Sequence, residues 1–125
     1  MLSECELMGF IPVADAKRAK AFYCGLLQLP LVEDNGFASI LQPPHGSLRL
    51  VRVPEFTPLP FTLLGWAVAD IEAEVRALAA AGVTFERYPW FEQDALAIWN
   101  APGGDKVAWF KDPDGNTLSL AQSKG

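Results

Sequence analysis

Histidine is almost absent from this 125-residue chain: His45 is the only one, set in the turn-like stretch Gln42-Pro43-Pro44-His45-Gly46. A cluster of imidazoles gathered on a zinc ion is therefore excluded, and His45 has no partner visible in the sequence with which to act as a base. Cysteine is scarce too. Cys5 and Cys24 form no C-x-x-C pair, which excludes zinc-ribbon and thioredoxin-like motifs. The chain does not open on a basic segment followed by an apolar one, so no secretion signal is read; reduced thiols and a cytoplasmic location are the expectation. No apolar run approaches the roughly 20 residues of a membrane span. Nor is there a basic patch. Ten lysines and arginines lie scattered among fifteen acids, for a net charge of −5, so the electrostatic footprint of nucleic-acid binding is missing.

What remains is ordinary globular material, half of it hydrophobic and a fifth of it charged. A chain of this length suits one domain and buries about two-thirds of its unfolded surface. Within it lies an echo. "FIPVADAKRAKAFYCGLL" occupies residues 10–27 and "LGWAVADIEAEVRALAAAG" residues 64–82; both contain Val-Ala-Asp, with Val68 standing 55 residues after Val13. Each copy reads as a strand, an aspartate and a helix. The aspartates, Asp15 and Asp70, suit the helix start because a carboxylate accepts from the free N–H groups there and faces the positive end of the helix dipole. Apolar residues then recur at Ala19, Phe22, Tyr23 and Leu26, and at Ile71, Val75 and Leu78, one face of a helix in each case. Gly82 is a suitable stop for the second helix.

Strand-like runs follow both helices. In the first half they are residues 31–34, 37–41 and 47–53, with Asn35-Gly36 as a hairpin turn. In the second they are residues 83–88, 96–101, 106–111 and 117–122, separated by Pro-Gly-Gly and Asp-Pro-Asp-Gly-Asn turns. Glu4 and Glu6 are read at the start of the first strand. The three prolines of "PEFTPLP" cannot pair well inside a sheet. The predicted organisation is thus one α+β domain, residues 1–125, made of two tandem βαβββ modules at about 5–53 and 62–122 with a linker at 54–61. Helices would cover one face of mainly antiparallel sheets, and the other face would curve around a ligand.

The paired pattern, "VADAKRAKAFYCGLL" at the first helix and "FKDPDGNTLSL" near the C-terminus resemble the vicinal oxygen chelate superfamily, the group of glyoxalases, bleomycin-resistance proteins and extradiol dioxygenases. The resemblance covers almost the whole chain. It implies that the modules form curved-sheet cups around a site and that the protein is a homodimer. In metal-using relatives the ligands stand seven residues before each helix-opening aspartate, on the fourth strand of the first module, and three residues after the Asn of the last turn. Those positions hold Met8, Leu63, a residue at or near Arg49, and Ser119. A thioether, an alkyl chain, a repelling cation and a weak hydroxyl do not make a site for a divalent cation. The resemblance therefore implies neither metal nor cofactor here, and no catalytic residue is assigned.

The candidate ligand-binding residues are Met8, Phe10, Arg49, Trp90, Phe91, Trp99, Trp109, Thr117 and Ser119. Arg49 offers a planar fork to a carboxylate or phosphate; the plainer reading is a surface arginine. Thr117 and Ser119 share a strand face and either bond a ligand or pack beneath a helix. The tryptophans either line a pocket or fill the core. Trp90 and Phe91 stand beside Glu92, Gln93 and Asp94, which suits the rim of a site for a cationic aromatic or equally a dimer contact. Glu4 and Glu6 as a catalytic pair, His45 as a base and Cys24 as a nucleophile are the weaker readings. Three functions stay open: a metal-independent protein sequestering an aromatic or cationic-aromatic small molecule; a metal-dependent lyase, isomerase or dioxygenase with an atypical site; and a regulatory module docking through Trp90 and Phe91. The first is preferred, which leans away from an enzyme, with a small molecule rather than nucleic acid or membrane as the partner.

Overall fold

The computed structural model describes all residues, Met1–Gly125, and divides into two compact units, Met1–Thr57 and Pro58–Gly125. The division falls inside the proline-rich segment. In the first unit the order is β1 (Met8–Val13), α1 (Ala16–Lys20), β2 (Leu31–Asp34), β3 (Ala38–Leu41) and β4 (Ser47–Arg52); in the second it is β5 (Thr62–Ala67), α2 (Ile71–Ala80), β6 (Trp99–Asn100), β7 (Lys106–Lys111) and β8 (Thr117–Gln122). The sheets are wired alike. The first runs β1-β4-β3-β2 and the second β5-β8-β7-β6. In each, the first and last strands of the module pair in parallel and the remaining neighbours are antiparallel. The fold is α+β, two tandem βαβββ modules.

The two aspartates start the helices as expected. Asp15 Oδ1 accepts from the N–H groups of Lys17 and Arg18 at 2.9 and 3.2 Å, and Asp70 Oδ1 accepts from Ala73 N at 3.2 Å. Gly82 ends α2 at φ +106°: its N–H reaches Ala79 O while Val83 N reaches Leu78 O, a reciprocal closure that uses two orphan carbonyls. The first helix is less regular than its periodicity suggested. It continues from α1 into a π-helical stretch, Ala21–Leu26. The inward residues are nevertheless those the spacing selected, with Ala19, Tyr23, Ile71 and Val75 all buried.

Each core lies between the helix and one sheet face. Ile11, Val13, Leu41, Leu48 and Leu50 are buried in the first unit, and Ile98, Ala108, Phe110, Leu118 and Leu120 in the second. Trp66 belongs to the second core, stacked on Phe110 with ring centroids 6.1 Å apart.

Four expectations need correction. β1 begins at Met8, because residues 2–4 close a 3-10 turn through Glu4 N to Met1 O and Cys5 N to Leu2 O; Glu4 and Glu6 are exposed and outside the strand. β3 begins at Ala38 because Asn35 Oδ1 captures the N–H groups of Phe37 and Ala38. Residues 83–88 form no strand. Only Glu86 N docks on the sheet, at Trp109 O, and the Gln93 side chain takes Glu86 O and Tyr88 N. Residues 96–101 shrink to the two-residue β6 because Asp94 Oδ1 accepts from Leu96 N and Ile98 N. In both halves a side chain outcompetes the ladder for backbone groups. Cys5 and Cys24 are both free thiols.

Candidate functional site

The face of each sheet away from its helix carries the candidate residues. In the first unit, strand alternation sends Met8, Phe10, Ile40, Arg49 and Val51 to the face opposite the buried set. Register places them in rows: Phe10 lies beside Arg49, and Arg49 beside Ile40. This face is open, with Met8 46% and Phe10 58% exposed. Arg49 is half-buried, and its Nε is shut off from solvent with no hydrogen-bond partner.

The second unit repeats this geometry with other side chains. Gly65 pairs with Ser119, and Ser119 with Trp109. Gly65 follows Leu63 by two residues as Phe10 follows Met8, so the row Gly65, Ser119, Trp109 corresponds to the row Phe10, Arg49, Ile40. The correspondence fixes Arg49 as the first-unit counterpart of Ser119, where the sequence left a margin of one or two residues. Ser119 is 9% exposed and Thr117 is buried beside it. A β-carbon on Gly65 would stand 2.6 Å from Ser119 Oγ, so the close approach of these strands requires glycine there.

Over this face sits a cluster of rings. Phe91 lies parallel to Trp109, 5.0 Å between centroids and 3° between planes, and 4.3 Å from Trp99. Tyr88 meets Trp109 edge-on at 5.5 Å and stacks on Trp90 at 5.1 Å. Trp90 is 71% exposed and forms the outer layer. Offset-stacked and edge-to-face arrangements are the favourable ones for aromatic quadrupoles, so the wall is preassembled.

The loop that carries Tyr88, Trp90 and Phe91 is braced from within. Gln93 Nε2 donates to Glu86 O and Ala97 O at 2.9 and 2.8 Å, and its Oε1 accepts from Tyr88 N at 2.8 Å. Arg87 donates to the carbonyls of Asp94 and Ala95. Ala97 is held at φ +65°, a costly backbone state for a residue with a β-carbon. Gln93 and Asp94 therefore brace the loop, with Asp94 still exposed at its edge; Glu92 has its side chain outside this bracing and is exposed. The final turn is braced likewise. Asp112 Oδ1 accepts from Asp114 N and Asn116 N, both at 2.9 Å, and Asn116 Nδ2 donates to Asp112 Oδ2. Gly115 supplies φ +89°. That hairpin sets the register that delivers Thr117 and Ser119.

Two groups among or near the candidate residues have shifted titration. Burial, with help from the Glu86 carboxylate, raises the Tyr88 hydroxyl above its usual range, so it remains a neutral phenol. Burial raises the Cys24 thiol, against the opposing pull of Lys20, and a protonated thiol is a poor nucleophile. His45 is exposed in its turn.

The structure places the candidates Met8, Phe10 and Arg49 on one face of the first sheet, and Trp109, Thr117 and Ser119 on one face of the second, with Phe91 and Trp99 against Trp109 and Trp90 outside them. Gly65, the stacking role of Tyr88 and the bracing role of Gln93 were not among the sequence candidates. Gly65 was detectable, since it stands 55 residues after Phe10. Gln93 was not, because nothing local shows a side chain replacing a strand ladder. The four positions aligned with metal ligands hold Met8 and Arg49 in the first unit, Leu63 and Ser119 in the second. No three His, Cys, Asp or Glu side chains gather in a group able to hold a metal ion. These residues do not fit a divalent cation, whose donors are imidazole, carboxylate or thiolate.

Solved structures share the fold. A member of the Glyoxalase/bleomycin resistance protein/dioxygenase superfamily from Sphaerobacter thermophilus superposes with a TM-score of 0.77 at 22% identity, covering 98% of this chain and 100% of its own. A bleomycin resistance determinant encoded on the transposon Tn5 gives 0.76 at 22%, covering 97% and 99%. A lactoylglutathione lyase from Agrobacterium tumefaciens gives 0.74 at 15%, covering 97% and 95%. At these identities the likeness concerns the fold. No curated protein matches in sequence. The family model for the Glyoxalase/Bleomycin resistance protein/Dioxygenase superfamily matches residues 5–120, nearly the full length, and the chain belongs to that superfamily.

Proposed function

We propose that the protein binds an aromatic or cationic-aromatic small molecule without a metal, in the manner of a sequestering protein. The observation that carries this reading is the ring wall of the second unit. Phe91, Trp99 and Trp109 lie over the row that holds Ser119, and Trp90 leaves a large indole face in solvent. A planar ligand gains stacking area on such a wall at little entropic expense, and a cationic one gains a further attraction to the ring faces. Trp90 is exposed and adjoins the half-buried rings of Tyr88 and Phe91, an apolar edge of the kind a ligand covers. The proposed ligand-binding residues are Trp90, Phe91, Trp99, Trp109, Thr117 and Ser119 in the second unit, with Met8, Phe10 and Arg49 in the first. Bleomycin resistance and lactoylglutathione lyase activity both occur on this fold. The donor set favours the former mode, because binding by stacking needs no ion. We also propose a homodimer.

The test is quenching of tryptophan fluorescence in chelator-treated protein by acridine orange, a cationic aromatic, and by neutral 2-naphthamide. At least one should bind saturably, and Trp90→Ala should weaken it at least fivefold. Because Trp90 is mostly exposed, that substitution leaves the core intact. Absence of saturable binding by either probe, or affinity unchanged in the variant, would contradict the reading.

A further inference from the structure

We infer that Arg49 is an oxyanion anchor, and that the open face of the first sheet takes an organic anion with an apolar body. The inference rests on the small-molecule reading above and specifies one end of the ligand. Its basis is the environment of one guanidinium. Arg49 sits mid-strand with apolar cross-strand neighbours on both sides, Phe10 on β1 and Ile40 on β3. Met8 and Val51 share its face. No carboxylate pairs with it; in the first unit Lys20 pairs with Asp34 and the N-terminus with Glu4. Its Nε is buried without a hydrogen-bond partner.

A buried donor left unsatisfied is costly, and native proteins that retain one have a use for it. A charged donor raises that cost, and an arginine is not relieved by losing its proton. An acceptor carrying negative charge would satisfy the donor and compensate the charge together. A guanidinium edge offers Nε and one terminal nitrogen as a matched pair of donors, the geometry that receives two oxygens of one carboxylate or phosphate. The sheet beside it offers mainly apolar contact to the rest of the molecule, with Phe10 and Met8 as the largest exposed surfaces; the polar groups sharing that face are Ser47 on β4 and Glu33, which stands beyond Ile40 on the far strand β2. The protein as a whole is acidic, so long-range attraction does not bring anions to this face; selectivity is local to Arg49. The corresponding position in the second unit is the uncharged Ser119, so only one of the two modules has this feature. A guanidinium disfavours the cationic end of a cationic aromatic. The anchor therefore narrows the ligand on this face to an aryl or alkyl carboxylate or phosphate.

Affinities for 2-naphthoate, 2-naphthyl phosphate and neutral 2-naphthamide decide the matter, each read by tryptophan fluorescence and by protein NMR shifts. The wild type should bind one of the two anions at least tenfold more tightly than the amide, and which one identifies the oxyanion. Arg49→Gln should remove that preference while leaving amide affinity within twofold, and Arg49→Lys should keep part of it. If Arg49→Gln fails to fold, the wild-type preference and its partial retention in Arg49→Lys still decide. Equal affinities in the wild type, a preference that survives Arg49→Gln, or no binding of either anion overturns the inference. Retained amide binding in those cases leaves the small-molecule reading standing, and silence from all three probes removes both.

Discussion

At the scale of single residues, two equivalent positions have diverged in chemistry. Both lie in the last strand of a module, paired with a residue of its first strand. One carries Arg49 next to Phe10, the other Ser119 next to Gly65. The second pair is so tight that a β-carbon at residue 65 would stand 2.6 Å from the serine hydroxyl and 3.3 Å from the serine carbonyl oxygen. Gly65→Ala is thus an overpacking change, expected to cost about 1–3 kcal/mol. Ser119→Gly removes the nearer obstacle. The cost of Gly65→Ala, read from urea unfolding, should fall in the Ser119→Gly background, and an unchanged cost would show that the strands yield without the hydroxyl.

At the scale of elements, side-chain braces decide where strands and turns begin. Asn35 trims the start of β3, Gln93 and Asp94 displace the ladder from residues 83–98, and Asp112 closes the last hairpin. These account for most of what the sequence did not disclose. Hydrophobic alternation identifies β4, β7 and β8 well, because their apolar residues face a helix. It misassigns residues 83–88, whose alternating Val83, Phe85 and Arg87 look like a strand but whose backbone groups bond to a glutamine side chain. Helix starts were legible because a capping aspartate acts within three residues of itself. One brace is testable by pH. The Lys20 ammonium, with the Gly36 N–H, holds the Asp34 carboxyl below its ordinary value of 3.8, tying the first helix to β2. A carboxylate with a lowered pKa stabilises the fold above its unfolded value, and that contribution disappears as pH falls through the folded value. Wild type should therefore melt above Asp34→Asn near neutral pH, with the gap closing as pH drops below 3.8. A gap that persists in strong acid would assign the difference to something other than this charge.

At the scale of the whole molecule, an internal repeat of a βαβββ module explains the architecture, and the family follows from it. The repeat was legible because the same Val-Ala-Asp opens each helix at a fixed offset. The ring wall was not, since it needs the folded juxtaposition of Tyr88, Phe91, Trp99 and Trp109, which lie up to 21 residues apart in sequence. Both sheets end on an open first strand, β1 and β5, and apolar side chains on it are exposed at Met8, Phe10 and Leu63. Unpaired edges with apolar neighbours invite association, which supports the proposed homodimer. Light scattering should give twice the 13.6 kDa chain mass at micromolar concentration; the single-chain mass would contradict it.

The proposed function has this member of the superfamily binding through rings and without an ion. Thermal unfolding of chelator-treated protein tests it most directly, with 2-naphthamide, acridine orange and 2-naphthoate added in one series and Ni, Zn, Fe(II) and Mn(II) ions in another. A ligand that binds only the folded form raises Tm with its concentration. A saturable rise is expected with at least one aromatic compound while chelator is present, and none with any metal. A saturable, stoichiometric rise with a divalent ion, and no response to the aromatic compounds until that ion is added, would contradict it.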